Sequence, residues 1–284
     1  SPQYFYNTFN IQPIHCQLTQ IMRQQSDNDI IVAANKLRLL FQSPPRVKWG
    51  KFPLRNRKNV HLYSSQLQLL NAYICNIQTY GYNAATLICS TNNLCLSLTN
   101  LIRPALGFNN SRLMIGELLL ITQNNGLSNL MNGDLVKVRQ LGNRIQRAAL
   151  TFLEVEVEEL FSKRVVKQLL IEDILYSPAP NLKQNDQQAL FIDYFYRMKA
   201  LGIHYRSNEF KKRMINDPYL NAIRAVFGYA LTCHKAQGGE WSDVYLDIPR
   251  RISHEPKSSD YQWLYTATTR ATNQLHIVDD FFIT

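Results

Sequence analysis

The hydrophobic residues of this chain follow two patterns. In several stretches the apolar residues recur every three or four positions, the spacing that gathers them on one face of a helix. The helices predicted in this way cover residues 30–41, 65–80, 94–103, 187–201 and 261–270. Short apolar runs bounded by turn residues are typical of buried strands, at residues 60–63, 84–89, 117–122, 227–231, 243–246 and 274–278. Because strand, polar turn and helix alternate, the pattern predicts an α/β fold.

The two ends of the first predicted helix have turn and cap residues. Ser26 and Asp27 are the expected caps, and Ser43-Pro44-Pro45 is the expected stop. The first seventeen residues have no clear helical repeat and are predicted to enter as a strand and loop.

Residues 123–180 have a different pattern. After the turn signals Asn124-Asn125-Gly126 and Asn132-Gly133-Asp134, three predicted strands follow one another at 135–141, 149–158 and 164–171. In the middle strand, valine and leucine alternate with glutamate from Leu153 to Glu158, which indicates an antiparallel sheet with one exposed face. The segment therefore predicts a small β-barrel inserted into the α/β fold, and residues 181–221 a helical connection back to it.

Composition narrows the class of protein. The chain has 284 residues, of which 45% are hydrophobic and 18% charged, so it is globular, and no apolar run approaches the length of a bilayer span. Its five cysteines are scattered without CxxC pairs, which favours a reducing, cytoplasmic setting without a disulfide framework or metal site. A net charge of +10 favours a polyanionic partner.

Six basic residues fall within positions 46–58, interleaved with Trp49 and Phe52. This composition suits a loop that holds a nucleic-acid backbone while aromatic rings stack on bases, and Lys48, Trp49 and Lys51 are its candidate contacts. The alternative is a solvated loop whose two aromatic side chains pack on the core.

The stretch from Leu231 to Trp241, reading LTCHKAQGGEW, follows a predicted strand. Paired glycines allow close approach of the backbone to a phosphate, and three polar side chains, those of Thr232, His234 and Lys235, offer donors. About 25 residues later, one arginine, Arg270, lies at the end of a predicted helix, in the segment WLYTATTRA.

These two segments resemble, in order and spacing, the fifth and sixth motifs of superfamily 1 helicases of the RecD, Dda and UvrD branches. The segment Leu18 to Gln25 is similar to their fourth motif, with Arg23 as the matching arginine. The resemblance implies a second RecA-like domain, a three-layer parallel sheet of the P-loop NTPase type without the P-loop, carrying an inserted SH3-like β-barrel. The implied boundaries are 1–122 with 222–284 for this domain, 123–180 for the barrel and 181–221 for the helical connection.

The resemblance also implies roles for single residues. Arg23 and Arg270 would be catalytic and point at the γ-phosphate of a nucleotide, which Gly238 and Glu240 would also approach. The residues implied to contact nucleic acid are Thr232, His234, Lys235, Thr91, Asn93 and Arg103. Simpler explanations stay open: Thr91 or Asn93 caps a helix, His234 is buried and hydrogen-bonded, and Glu240 is an acid at a helix N-terminus.

Neither GxxxxGK[ST] nor an Asp-Glu pair after an apolar strand is present in the sequence. In the family both belong to the N-terminal RecA-like domain, so the chain is expected to be a C-terminal portion that meets such a domain of the same polypeptide. ATP and Mg²⁺ would bind only in the full-length protein, with single-stranded DNA as partner and RNA not excluded. The alternative is a stand-alone nucleic-acid binding or regulatory module without ATPase activity.

Overall fold

The computed structural model describes residues 2–14 and 28–284. Its helices are α1 (Pro2–Phe9), α2 (Asp29–Gln42), α3 (Gln66–Tyr80), α4 (Asn92–Ala105), α5 (Gln184–Ala200), α6 (Asn208–Ile215) and α7 (Ser258–Thr268). Its strands are β1 (Val60–Tyr63), β2 (Ala85–Cys89), β3 (Leu118–Ile121), β4 (Leu135–Arg147), β5 (Leu150–Glu159), β6 (Val165–Ile171), β7 (Ala225–Phe227), β8 (Ala230–Thr232), β9 (Trp241–Leu246) and β10 (Ala271–Val278). Two 3₁₀ turns lie at Glu172–Tyr176 and Arg250–Ser253.

Five of these strands form a parallel sheet in the order β1-β10-β9-β2-β8. All five residues of the interior strand β2 are buried, which explains its largely apolar sequence. Helix α3 packs on this sheet, with the Tyr73 ring 5.3 Å from that of Tyr245, while α2 packs against α7. The mixed α/β fold with a parallel sheet predicted from the sequence is confirmed.

The other five strands form an antiparallel sheet in the order β6-β5-β4-β3-β7. The predicted alternation in β5 is confirmed, because Leu153, Val155 and Val157 are buried and the glutamates between them are partly exposed. A parallel bridge between Leu170 of β6 and Ile223, two residues before β7, links the two ends of this sheet.

Strands β3 and β7 lie in this antiparallel sheet, although the sequence assigned both to the parallel-sheet domain. Leu118–Ile121 is buried throughout, and a continuous apolar run does not reveal which strands are its neighbours. The domain boundaries as a whole stay predictions.

Three local predictions are corrected. Residues Pro2–Phe9 form a helix, where a strand and loop were expected. The N-cap of α2 is Asn28, whose side chain accepts a hydrogen bond of 2.8 Å from the amide of Ile30, so the expected cap lies one or two residues too early. Helix α4 runs past its expected stop and includes Pro104 in its last turn. No helix in the described part of the chain has the length and apolar character to cross a bilayer.

Candidate functional site

One turn connects strand β8 to strand β9 and contains most of the candidate residues. Because β2 lies between these strands, residues 233–240 must pass over it, from the carboxyl end of β8 to the amino end of β9. The turn is closed by hydrogen bonds from the amide of Ala236 to the carbonyl of Thr232, at 3.0 Å, and from the amide of Gly239 to that of Ala236, at 3.2 Å. A single compact segment therefore reaches both edges of the parallel sheet.

The two glycines of this turn are required for different reasons. Gly238 has a φ of +89°, a conformation that favours glycine, and a Cβ there would meet nothing within 4 Å. At Gly239 a Cβ would lie 2.4 Å from the indole ring of Trp241. Gly238 thus leaves open space above the backbone, and Gly239 permits the close packing of the tryptophan.

Arg270 follows α7 and joins it to the same turn. Its side chain is buried, with Nε 3.1 Å from the carbonyl oxygen of Thr266 and Nη1 3.1 Å from that of Gly239. In return, the carbonyl of Arg270 accepts a hydrogen bond of 3.1 Å from the amide of Trp241. The candidate nucleotide residues Gly238, Glu240 and Arg270 therefore gather at the amino ends of β9 and β10, with Glu240 exposed.

A second group of candidates lies at the carboxyl ends of β2 and β8. Thr232 is the register partner of Cys89, the last residue of β2. Thr91 caps α4, its Oγ1 accepting a hydrogen bond of 3.2 Å from the amide of Leu94, so the capping explanation holds for this residue. Asn93 and His234 are exposed, which rules out the buried interpretation of His234.

Lys235 is a half-buried cation beside this group. It lines a small cavity together with Asn92 and Cys95. Burial lowers the pKa of its ammonium group. The pKa of the nearby Cys95 thiol is lowered by a hydrogen bond from Cys89 and, to a smaller extent, by the positive charge of Lys235. A desolvated ammonium group gains more from an approaching phosphate than a fully hydrated one does, which makes Lys235 the strongest candidate for a backbone contact.

Arg103 is a correction to the predicted site. Its guanidinium group is buried and forms two hydrogen bonds to Glu117, of 2.6 Å and 3.0 Å, and two more to the carbonyls of Asn110 and Arg112. It also stacks over the ring of Phe227 at 4.5 Å. Arg103 therefore connects α4 to the segment that enters β3 and does not face a surface where nucleic acid could bind.

In the basic loop of residues 46–58, one aromatic ring packs on the core and the other is exposed. Phe52 is fully buried in the core, whereas Trp49 keeps 46% of its surface exposed, with Lys48 and Lys51 exposed on either side. The loop lies against residues 253–255 and Phe281, where the Lys51 ammonium is 5.6 Å from the ring centroid.

A cleft of about 300 Å³ lies next to His234, and it was not predicted from the sequence. Ser90, Arg251, Gln262 and Trp263 line it with His234, and come from the end of β2, the loop after β9 and helix α7. The arginines after β9 were visible in the sequence, but only the strand order brings them beside His234.

Arg23 lies outside the described residues. Within residues 2–14 and 28–284, no group of three or more His, Cys, Asp and Glu side chains could hold a metal ion.

Part of the chain matches a known protein family. Residues 227–278, which include the turn, helix α7 and Arg270, match the UvrD-like helicase C-terminal domain. A stretch of 49 residues is 39% identical to uncharacterized protein R530 of Acanthamoeba polyphaga mimivirus, and it covers 17% of this chain and 10% of that protein.

Two similar solved structures are Pif1 helicases. The enzyme from Bacteroides, in complex with ADP-AlF3 and ssDNA, is 16% identical with a TM-score of 0.45, over 94% of this chain and 52% of the other. The enzyme from Candida albicans is 14% identical with a TM-score of 0.37, over 93% of this chain and 56% of the other. The chain thus spans about half the length of these helicases. The match over residues 227–278 confirms the resemblance to the C-terminal portion of superfamily 1 helicases that the sequence motifs predicted.

Proposed function

We propose that this chain is the C-terminal motor half of an ATP-dependent DNA helicase, with its parallel sheet as the second RecA-like domain. The observation that carries the proposal is the hydrogen bond between Arg270 and Gly239. It holds the candidate nucleotide residues at one edge of the sheet, while the same turn reaches Thr232 and Lys235 at the other edge.

Arg270 acts on the nucleotide in this proposal. Transfer of a phosphoryl group develops charge on the phosphate oxygens, and a fixed guanidinium group stabilises that charge at any physiological pH. Burial and two bonds to backbone carbonyls fix the position of the group. Arg23 would be the second arginine, and Gly238 and Glu240 would lie beside the nucleotide.

The P-loop lysine and the acidic Mg²⁺ site would come from an N-terminal RecA-like domain of the same polypeptide. ATP and Mg²⁺ are therefore ligands of the full-length protein. The bridge between Leu170 and Ile223 supports the proposal that the antiparallel sheet is the inserted SH3-like β-barrel. The cytoplasmic setting stays a prediction.

Nucleic acid is proposed to cross the carboxyl edge of the parallel sheet. Lys235, Thr232, His234, Thr91 and Asn93 are grouped there, and these side chains suit contacts to a phosphate backbone. Single-stranded DNA is the proposed partner, and RNA is an outcome of the test, since phosphate contacts do not distinguish the two sugars.

A salt series on labelled single-stranded dT20 tests the nucleic-acid edge. Lys235→Gln should reduce the slope of log affinity against log salt by about 0.7, the loss of one phosphate contact. Lys199→Gln, on the exposed side of α5, is the matched control and should leave the slope unchanged. An equal slope for Lys235→Gln and the wild type would remove Lys235 from the site.

ATP hydrolysis tests the nucleotide edge. The 284-residue chain alone should hydrolyse no ATP, and in the polypeptide that carries it Arg270→Ala should lower DNA-stimulated hydrolysis by about 10³-fold. DNA-stimulated hydrolysis by the chain alone, abolished by Arg270→Ala, would contradict the need for a second domain. DNA binding by a polypeptide without any ATPase activity would favour the stand-alone binding module.

A further inference from the structure

Three aromatic rings form an exposed cluster outside the motifs. Trp49 has its ring centroid 4.9 Å from that of His254 and 5.5 Å from that of Phe281, both in edge-to-face contact. Trp49 is 46% exposed, Phe281 52% exposed, and His254 is exposed as well. Single exposed aromatic residues are common on protein surfaces, but a contiguous group of three suggests a binding surface.

The backbone holds this cluster in place without any ligand. Trp49 and His254 form an antiparallel bridge, flanked by hydrogen bonds from Gly50 to Ser253, at 2.7 Å, and from Glu255 to Lys48, at 2.8 Å. Gly50 is buried, and a Cβ there would lie 2.6 Å from the Pro256 ring. A ligand that binds the rings would therefore meet a preformed surface, with little entropy lost on ordering the loop.

The cluster lies at the edge of the sheet proposed to bind nucleic acid. His254 follows the carboxyl end of β9, and Phe281 follows that of β10. In the strand order, β9 and β10 continue the row from β8 and β2, where Lys235 and Thr91 lie. Since neighbouring strands are about 4.8 Å apart, β8 and β10 are separated by about 14 Å along this edge.

The charges around the rings are mainly positive. Lys51 lies over the Phe281 ring and donates a hydrogen bond of 2.5 Å to the Phe281 carbonyl, and Lys48 and Arg251 are exposed. Of the nearby acids, Asp280 is bound to Arg250 and Asp279 to Arg55, while Glu255 is exposed. Aromatic faces next to lysine and arginine are the arrangement with which proteins hold unpaired bases together with their phosphates.

We infer that Trp49, His254 and Phe281 form a stacking platform for unpaired bases of the strand whose backbone is held near Lys235. The inference rests on the proposed nucleic-acid edge and adds a base-contacting site to it. Because Trp49 and Phe281 meet edge to face, a base stacks on the outer face of one ring and does not insert between them. Stacking on a π-face accepts any base, so the platform contributes affinity without sequence preference.

Two 20-mers with the same backbone separate base contacts from phosphate contacts. One is dT20, and the other is an abasic oligonucleotide of equal length. Trp49→Ala and Phe281→Ala, which lie on different segments, should each weaken dT20 binding about tenfold, the loss expected for one stacked base, and should leave binding of the abasic oligonucleotide unchanged. Trp49→Phe should retain most of the affinity for dT20.

Two further variants make the failures distinguishable. Tyr80→Ala removes a 71% exposed aromatic ring at the end of α3 and should change neither affinity. Lys235→Gln should weaken both oligonucleotides equally, since it acts on the backbone. If Lys235→Gln has this effect but Trp49→Ala and Phe281→Ala bind both oligonucleotides as the wild type does, the platform is refuted and the proposed edge stands. If the folded wild-type chain binds neither oligonucleotide, the proposed edge fails and the platform fails with it.

Discussion

Arg270 donates a hydrogen bond of 3.1 Å from Nη1 to the carbonyl oxygen of Gly239, a residue 31 positions earlier in the chain. This contact joins the turn before β9 to the end of α7. The arginine proposed to act on the nucleotide is therefore also a structural residue, and its two roles must be measured separately.

Replacing Arg270 tests the structural role. Arg270→Ala removes the hydrogen bonds to the half-buried carbonyls of Gly239 and Thr266, of which Thr266 keeps the bond from the Thr269 hydroxyl, so the free energy of unfolding should fall by about 1–3 kcal/mol. Urea denaturation of the chain measures this change. Arg213→Ala, which removes an exposed ion pair with Glu209, is the control and should cost less than about 1 kcal/mol. Equal stabilities of Arg270→Ala and the wild type would show that the guanidinium bonds contribute nothing to folding.

The two glycines of the turn should respond differently to alanine. Gly239→Ala forces a methyl group against the Trp241 ring and should destabilise the chain by about 1–3 kcal/mol. Gly238→Ala meets no atom and should cost only about 1 kcal/mol, the strain of a positive φ. Thermal unfolding of both variants compares them. A smaller effect at Gly239 than at Gly238 would contradict the packing described for Trp241.

The buried pair of Arg103 and Glu117 predicts a large loss of stability. Arg103→Ala leaves the Glu117 carboxylate buried without its main partner and should cost about 3–5 kcal/mol. Since Arg103 does not reach the surface, the fraction that still folds should bind dT20 with wild-type affinity. A specific loss of binding by a stable Arg103 variant would restore the sequence prediction that this residue contacts nucleic acid.

Lys235 should show opposite effects on stability and on binding. Burial lowers the pKa of its ammonium group below the ordinary 10.5, so the unfolded chain binds this proton more tightly than the folded chain does. The cost to folding is therefore present at neutral pH and disappears as the pH rises above 10.5. Lys235→Met should raise the stability at pH 7 by at most about 1 kcal/mol, because the group is partly solvated, and should weaken dT20 binding. A loss of stability at pH 7 would mean that the ammonium group has a stabilising partner.

The carboxylate of Asp243 is expected to stabilise the folded chain at neutral pH and to lose this effect in acid. Burial alone would raise the pKa of its carboxyl group, but hydrogen bonds from His276, at 3.0 Å, and from Ser242 bring it below the ordinary 3.8. The stabilisation is complete above pH 3.8 and is lost as the pH falls through the lower, folded value. Asp243→Asn should cost about 1–2 kcal/mol at pH 7, and its difference from the wild type should shrink in acid. Denaturation curves between pH 2 and pH 7 check this, and a difference that is constant over the range would contradict it.

Local patterns allowed several elements to be predicted closely. The strand Val60–Tyr63 has the expected bounds, and Ser65 and Gly81 flank α3 as their sequence positions indicate. These features depend on neighbours in the chain: apolar spacing sets the buried face, a serine side chain caps the first turn, and glycine accepts the positive φ at the end. The motif residues were found for the same reason, because their types and spacing are a property of the sequence.

What the sequence left open depends on contacts between distant residues. An apolar run such as Leu118–Ile121 can pair in either sheet, and an arginine such as Arg103 can face solvent or a buried carboxylate, with the same local pattern. The aromatic cluster likewise needs three segments, around Trp49, His254 and Phe281, to meet. The sequence by itself determined the elements and the motif chemistry, since these follow from local spacing and residue type. The tertiary structure decided which polar and aromatic side chains are buried, paired or exposed, because only long-range packing sets how much water each of these groups loses.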